Sequence, residues 1–269
     1  MPNSNAFPRG MRYGDAVTRS ASSDICAVSR DEPPGSVQDR ISEEGRSVAE
    51  RAIRGVRKRR TEMVFDGGFF ARWLRASADA IADHRDFLTQ LDAAIGDADH
   101  GINMDRGFAG IVAIIDAADG ILPGELLSQA GATLVLRVGG AAGPLYGTAF
   151  RDAGRSLADR TWFGVLELAD ALDAALRAIT KLGAADPGDK TIVDAWAPGL
   201  DALRRASSSD PIEILRAARM AAEAGAAATI PMEARKGRAS YLGPRSVGHQ
   251  DPGATSTALL FAALEEAAG

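Results

Sequence analysis

Phe-Phe-Ala-Arg-Trp-Leu-Arg-Ala-Ser-Ala-Asp-Ala-Ile, residues 69–81, sets the pattern for most of this chain. Phe69, Phe70, Trp73, Leu74, Ala80 and Ile81 recur at i, i+1, i+4, i+5, i+11 and i+12, which is the apolar face of an amphipathic helix. Ser77 holds the i+8 place on that face, so the stripe is imperfect there. The same Ala- and Leu-rich spacing predicts helices near 84–93, 103–118, 124–137, 143–158, 165–182, 190–207, 210–229 and 252–268. Gly120 with Pro123, Gly139-Gly140, Gly183 with Pro187-Gly188, and the run from Ser207 to Pro211 punctuate them. β-branched alternating runs are nearly absent. The chain reads as all-α, with short connections that imply antiparallel neighbours.

Residues 1–62 follow a different rule. They are rich in Ser, Arg, Pro and Gly and end in Arg-Gly-Val-Arg-Lys-Arg-Arg (54–60). Little apolar periodicity runs through them, so the reading is a disordered extension with one weak helix over about 38–58. A start codon assigned too early, with translation beginning near Met63, is the alternative, and the mass of the native protein tests it. Residues 63–269 form the helical domain.

Charge divides along the same boundary. Residues 1–60 carry 12 Lys/Arg against 8 Asp/Glu, and the rest carries 19 against 28. A net charge of −5 and a pI near 5.3 argue against a general nucleic-acid binder. The single cysteine, Cys26, excludes an intrachain disulfide and fits a reducing cytoplasm. No apolar run reaches the length of a membrane span, and the N-terminus lacks a signal-peptide core. The expected location is cytoplasmic, with no nucleic-acid or membrane partner.

Within the acidic domain, Leu-Asp-Ala-Ala-Ile-Gly-Asp-Ala-Asp-His-Gly-Ile-Asn-Met (91–104) concentrates three aspartates in eight residues. Asp92, Asp97 and Asp99 repel one another unless a hard cation neutralises them. Gly96 and Gly101 free the backbone to wrap them around one point. Mg²⁺, which takes oxygen ligands and keeps waters beside substrate phosphates, suits the set. Helix capping by Asp92 or Asp99 is the alternative.

Three further segments suit an anion. Val138–Thr148 is a Gly-rich turn feeding a helix, with Gly139, Gly140 and Gly143 leaving N–H groups bare and Pro144 in the first turn. It lacks the Lys-Ser/Thr of a phosphate-binding Walker loop, and helix packing on small residues explains it about as well. In Pro187–Trp196, Asp189 is read as the N-cap of the helix that follows. In Gly248–Ser256, Asp251 before Pro252 opens the last helix, and His249 reads as a local hydrogen-bonder. Residues 231–251 form a loop of about 20 residues, a length that is usually functional inside a compact domain. Its Arg235, Lys236, Arg238 and Arg245 would oppose a polyanion. No Ser-His-Asp or Cys-His set emerges, and zinc spacing is absent. The chemistry points to phosphoryl transfer by positioning and charge neutralisation.

Four stretches in this order, Leu91–Gly107, Val138–Thr148, Pro187–Trp196 and Ala234–Ser256, resemble the nucleotide-binding L subunit of dihydroxyacetone kinase, the DhaL family. The resemblance covers about residues 66–268. It implies an eight-helix antiparallel barrel with ADP or ATP and two Mg²⁺ ions at one end. It implies Asp92, Asp97 and Asp99 as metal ligands. The nucleotide would be lined by His100, Gly101, Ile102, Asn103, Ala141, Ala142, Gly183, Ile192, Arg238, Asp251, Pro252 and Gly253, under a lid formed by 231–251. Arg238 would oppose charge on the transferring group. Ala142 stands where the family commonly has Ser, so a hydroxyl contact is replaced by backbone donors at a loss of about 1 kcal/mol.

The family holds its triose on a separate K subunit or region, so the resemblance implies a K partner. A phosphotransferase-system phosphoprotein is a second implied partner in the branch that keeps ADP bound, and a homodimer is a further expectation. Two other readings stay open. A fatty-acid kinase nucleotide domain is related, but usually carries Thr at the position of His100 in a longer chain. A non-enzymatic regulator that binds a transcription factor according to nucleotide state is the other.

Overall fold

A computed structural model describes residues 65–117, 120–208 and 210–269. The expectations for residues 1–62 lie outside the described residues. Among the described residues nine α-helices form: α1 Gly67–Asp83, α2 Arg85–Ile95, α3 His100–Ala117, α4 Pro123–Arg137, α5 Ala142–Leu157, α6 Val165–Gly183, α7 Val193–Arg205, α8 Pro211–Ala228 and α9 Pro252–Ala268. A 3-10 helix, Arg238–Ser246, lies between the last two. The mostly helical class is as the periodicity implies.

Most helix ends fall within a few residues of the sequence signals, and two differences are informative. The helix expected from 103 begins at His100, which puts His100 and Asn103 on the same face of a first turn. The helix expected from 190 begins at Val193. Lys190 has φ 63, a left-handed conformation that cannot continue a helix, so Asp189 is not the N-cap. Asp194 fixes this turn instead, its carboxylate accepting the N–H groups of Gly188 at 2.5 Å and Thr191 at 2.7 Å.

The face read from residues 69–81 packs as expected. Phe69, Phe70, Trp73, Leu74 and Ile81 are buried, Ala80 only partly so, and Trp73 stacks on Phe150 of α5 at 5.5 Å. Ser77 is also fully buried. Its hydroxyl donates to the Trp73 carbonyl at 2.7 Å, which is how a polar group is tolerated on that stripe. Two short strands escaped the sequence reading. β1 (Phe65–Asp66) pairs antiparallel with β2 (Trp162–Phe163), with Phe65 opposite Phe163 and both rings buried. Two-residue strands carry no alternation to detect.

Consecutive helices from α3 to α9 pack on one another in turn, α9 packs on α1, and α1 packs on α3. The α4–α5 pair is packed through glycines. A Cβ on Gly131 would stand 2.5 Å from the Gly147 carbonyl oxygen, and one on Gly154 would stand 2.4 Å from that of Gly124. These glycines bring two helix backbones together and so fix where the α5 N-terminus points.

Candidate functional site

The acidic loop is assembled between α2 and α3. Asp92 sits in the last turn of α2 and is buried. Its Oδ2 accepts the backbone N–H groups of Asp99 at 2.8 Å and His100 at 3.1 Å. Asp92 therefore does bond the start of a helix, though from the preceding helix. Between them Ala98 adopts φ 64, which folds Asp97 and Asp99 back toward Asp92. One carboxylate oxygen from each of the three lies within 4.8 Å of the others.

Gly96 makes this possible. A Cβ there would lie 2.0 Å from Asp92 Oδ1, so any side chain must displace that carboxylate. We expect Gly96→Ala to weaken Mg²⁺-dependent nucleotide affinity about ten-fold or more, roughly the loss of one charge-assisted contact. Calorimetry measures this, and wild-type affinity would show that Asp92 need not stay where it is.

The carboxylates open onto a cavity of about 600 Å³. Asp92, Asp97, Asp99, His100, Asn103, Ala141, Ala142, Gly183, Ile192, Arg238, Asp251, Pro252 and Gly253 all line it. Gly101 and Ile102 do not border it, because successive residues of the first turn of α3 face different ways. Gly101 is packed on α2, where a Cβ would meet the Arg85 carbonyl oxygen, and Ile102 is half exposed. A second groove of about 650 Å³, lined by Gly110, Ile114, Glu125 and Arg137 among others, shares no lining residue with this cavity.

One wall is the turn Gly139–Ala142 at the start of α5. Its N-cap is Ala141, so no side chain takes the first amides, and such a helix start suits an anion. Asn103 packs flat on this turn, since a Cβ on Gly139 would come 2.8 Å from its Nδ2. Arg106 holds Asn103 in place, donating to its Oδ1 at 2.7 Å and to the Arg137 carbonyl at 2.8 Å. Another part of the lining is apolar. Leu145, Ile179, Ala185 and Ile192 line it, and only Ile192 is among the residues that the sequence singled out.

The third side is the start of α9. Asp251 caps it, accepting from Ala254 N at 2.6 Å, with Pro252 in the first turn. Burial raises the Asp251 carboxyl to about 7, helped by the nearby Asp194 charge and opposed by the capping amide and Lys190. With a folded-state value above the unfolded one, the folded protein binds the extra proton, and stability falls as pH rises from about 4 through 7. Between pH 5 and pH 8 the wild type is expected to lose about 2 kcal/mol relative to Asp251→Asn, which has no proton to lose. Denaturant midpoints of the two at several pH values check this, and parallel curves would remove it.

Behind α9's first turn lies a buried polar chain. His100 Nε2 is 3.0 Å from Ser256 Oγ, and the Tyr146 hydroxyl is 2.8 Å from Ser256 Oγ and 2.7 Å from Thr257 Oγ1. Burial lowers the His100 pKa below the ordinary histidine value, against the pull of Asp92, Asp99 and a hydrogen bond with the Pro252 backbone. Burial likewise raises that of Tyr146. The neutral imidazole thus ties α3 to α9. Nothing in the spacing of these residues announced the chain.

The 231–251 segment covers the fourth side, and it is not structureless. Its 3-10 helix is broken at Gly243, whose φ is 54. Ala234 and Ala239 bury themselves against Ile95 at the end of α2, with Leu242 packed beside them. Arg238 Nη2 lies 2.9 Å from Asp97 Oδ2, an ion pair exposed to solvent on both sides. Arg235, Lys236 and Tyr241 also border the cavity; Arg245 and His249 do not.

Three clustered carboxylates and an uncapped helix start thus line one cavity beneath a cationic cover, donors of the kind that suit a hard cation and an anion in a helical domain. Residues 94–266 match the DAK2 domain. The chain is 44% identical over 199 residues to the PEP-dependent dihydroxyacetone kinase, ADP-binding subunit DhaL, of Escherichia coli (strain K12), which spans 73% of this chain and 94% of that protein. It is 40% identical over 209 residues to the corresponding subunit of PEP-dependent dihydroxyacetone kinase 2 of Listeria innocua, 77% of this chain and 97% of that one. The crystal structure of the dihydroxyacetone kinase from C. freundii in complex with AMP-PNP and Mg²⁺ superimposes with a TM-score of 0.61 at 26% identity. That match covers 76% of this chain and 35% of the longer one. The chain belongs to the DhaL family of dihydroxyacetone kinase subunits. No described helix is long and apolar enough to cross a membrane.

Proposed function

We propose that this chain is the nucleotide-binding, phosphoryl-transfer subunit of a dihydroxyacetone (glycerone) kinase. It passes the γ-phosphoryl group of Mg²⁺-bound ATP to dihydroxyacetone or a related small ketose held on a separate K subunit. The observation that carries this reading is the convergence of Asp92, Asp97 and Asp99, the α5 start and Arg238 on one cavity. Its volume and its apolar wall suit a nucleotide base at one end and phosphates at the other.

The donors fit Mg²⁺. They are all oxygens, drawn together by a glycine that leaves no room for a Cβ. Asp92, Asp97 and Asp99 would hold the metal, two ions by family resemblance, which neutralises phosphate charge when bound. The backbone N–H groups at Ala141 and Ala142 bind phosphate without the hydroxyl that a serine would add. His100, Gly183, Ile192, Pro252 and Gly253 shape the pocket around the nucleotide, and Gly101 and Ile102 are left with a supporting place in the first turn of α3. Arg238 opposes the charge that develops on the transferring group. The return of helix packing from α9 to α1 supports the eight-helix barrel, with α2 outside the ring.

The chain carries no triose site in this reading, so the K subunit supplies acceptor and acid/base groups. Exposed Ile102 and Tyr241 near the cavity suit a covering partner. The relatives named as PEP-dependent favour the branch in which bound ADP is rephosphorylated by a phosphotransferase-system phosphoprotein. The test combines purified K subunit, dihydroxyacetone and this chain with either ATP or phosphoenolpyruvate plus carrier proteins. Triose phosphate formed only with the carriers identifies that branch, and formed with ATP alone the other. None under either condition removes the kinase reading.

A further inference from the structure

Lys190 is a charged residue that the site leaves unexplained. It is 1% exposed, in a left-handed turn, and borders the cavity. Its Nζ points into four backbone carbonyls: Thr229 at 2.9 Å, Met232 at 3.1 Å, Ser246 at 2.8 Å and His249 at 2.5 Å. Two of these follow the end of α8, and the C-terminal end of a helix favours a cation. The other two belong to the far limb of the 231–251 segment. An ammonium has three N–H donors and no acceptor capacity, so it is shared among the four oxygens as a small bound cation would be.

The contacts around this cage tie the two limbs of the segment together. Gly248 N donates to the Ile230 carbonyl at 2.8 Å, Ala234 N to Ser246 Oγ at 2.9 Å, and Asp251 N to Thr229 Oγ1 at 2.9 Å. Arg235 N donates to the Asp189 carbonyl at 3.1 Å, joining the near limb to the turn that carries Lys190. Burial pushes the Lys190 pKa down and the Asp251 charge pulls it up. Without a cation, four carbonyl dipoles would converge on one another, those of Thr229 and Ser246 in a buried setting, an arrangement that costs free energy.

We propose that Lys190 is the positioning residue of the lid. Its ammonium takes the place of a structural monovalent cation, closes residues 229–249 into one body and so sets how long a nucleotide stays beneath it. This rests on the nucleotide reading for its last step only; the cage stands without it.

Lys190→Gly removes the ammonium and suits the left-handed backbone, leaving a four-carbonyl hole that potassium, ammonium or methylammonium can enter. The full-length variant is examined by hydrogen exchange without nucleotide, and by release of a fluorescent ADP analogue in Mg²⁺. The amides of Ala234, Gly248 and Asp251 should exchange about ten-fold faster or more, and the analogue should leave faster by a similar factor. Small cations should restore both and tetramethylammonium should not, while Mn²⁺ binding to the carboxylates in the absence of nucleotide stays as in wild type.

Lys190→Met, which keeps the length and fills the hole, should show the loss but no rescue. Wild-type exchange in either variant, or a loss in the glycine variant that no small cation reverses, overturns the proposal. A glycine variant that folds only in potassium or ammonium salts supports it; one that folds in neither overturns it. Should wild type bind no ADP analogue, the nucleotide reading fails, and the exchange experiment still decides the cage.

Discussion

Asp97→Ala is expected to abolish Mg²⁺-dependent nucleotide binding while leaving the fold intact. Asp97 is the most exposed member of the trio. Asp92 spends one oxygen on the amides of Asp99 and His100, and replacing it would disturb the α2–α3 junction as well as the metal. Asp97 instead has Arg238 as its partner, in an exposed pair worth little to stability. Removing it leaves two of three carboxylates for the cation and frees Arg238. Phosphates have little affinity for an acidic loop that lacks its metal, so the two ligands are lost together. Calorimetry with ADP and Mg²⁺ should show no measurable heat, with thermal stability of the ligand-free protein unchanged. Wild-type affinity would dismiss the acidic loop as the metal site.

Arg238→Ala is expected to separate binding from transfer. Charge accumulates on the transferring phosphoryl group as it leaves ADP, so a guanidinium aimed at it contributes more in the transition state than to the bound nucleotide. Turnover with K subunit and dihydroxyacetone should fall about 10²–10³-fold, the range for a lost charge-stabilising donor, with a much smaller change in ADP affinity. Arg238→Lys keeps a charge but not the planar fork, and should recover only part of the rate. A fall in affinity equal to the fall in turnover would instead make Arg238 an ordinary binding residue.

The legible parts of this protein are those where one residue type leaves few options. The 69–81 stripe, the Gly and Pro stops and the Asp251-Pro252 helix start all act through local backbone chemistry, and each appears where the sequence puts it. The aspartate cluster was readable because like charges do not gather without a reason. Less legible were groups whose role depends on distant chain. Lys190 in isolation is a surface lysine in a turn, because the carbonyls that surround it come from residues about 40 to 60 positions away. The exchange of Asp189 for Asp194 turns on a single left-handed φ that Lys does not advertise. Leu145, Ile179 and Ala185 look like core, and only the gap opposite them makes them a wall. The two-residue strands at Phe65 and Phe163 are too short to show a period.

Ile95 stands three residues after Asp92 on the same turn of α2. One carries a carboxylate of the cluster and the other the apolar seat on which Ala234 and Ala239 rest. A single turn of helix is therefore the hinge post for both floor and roof. Any excursion that lifts the cover strips Ile95 of its contacts and loosens the backbone that aims Asp92. Cation and nucleotide would then depart in one kinetic event, and a substitution at Ile95 would be felt as a shorter residence time for both.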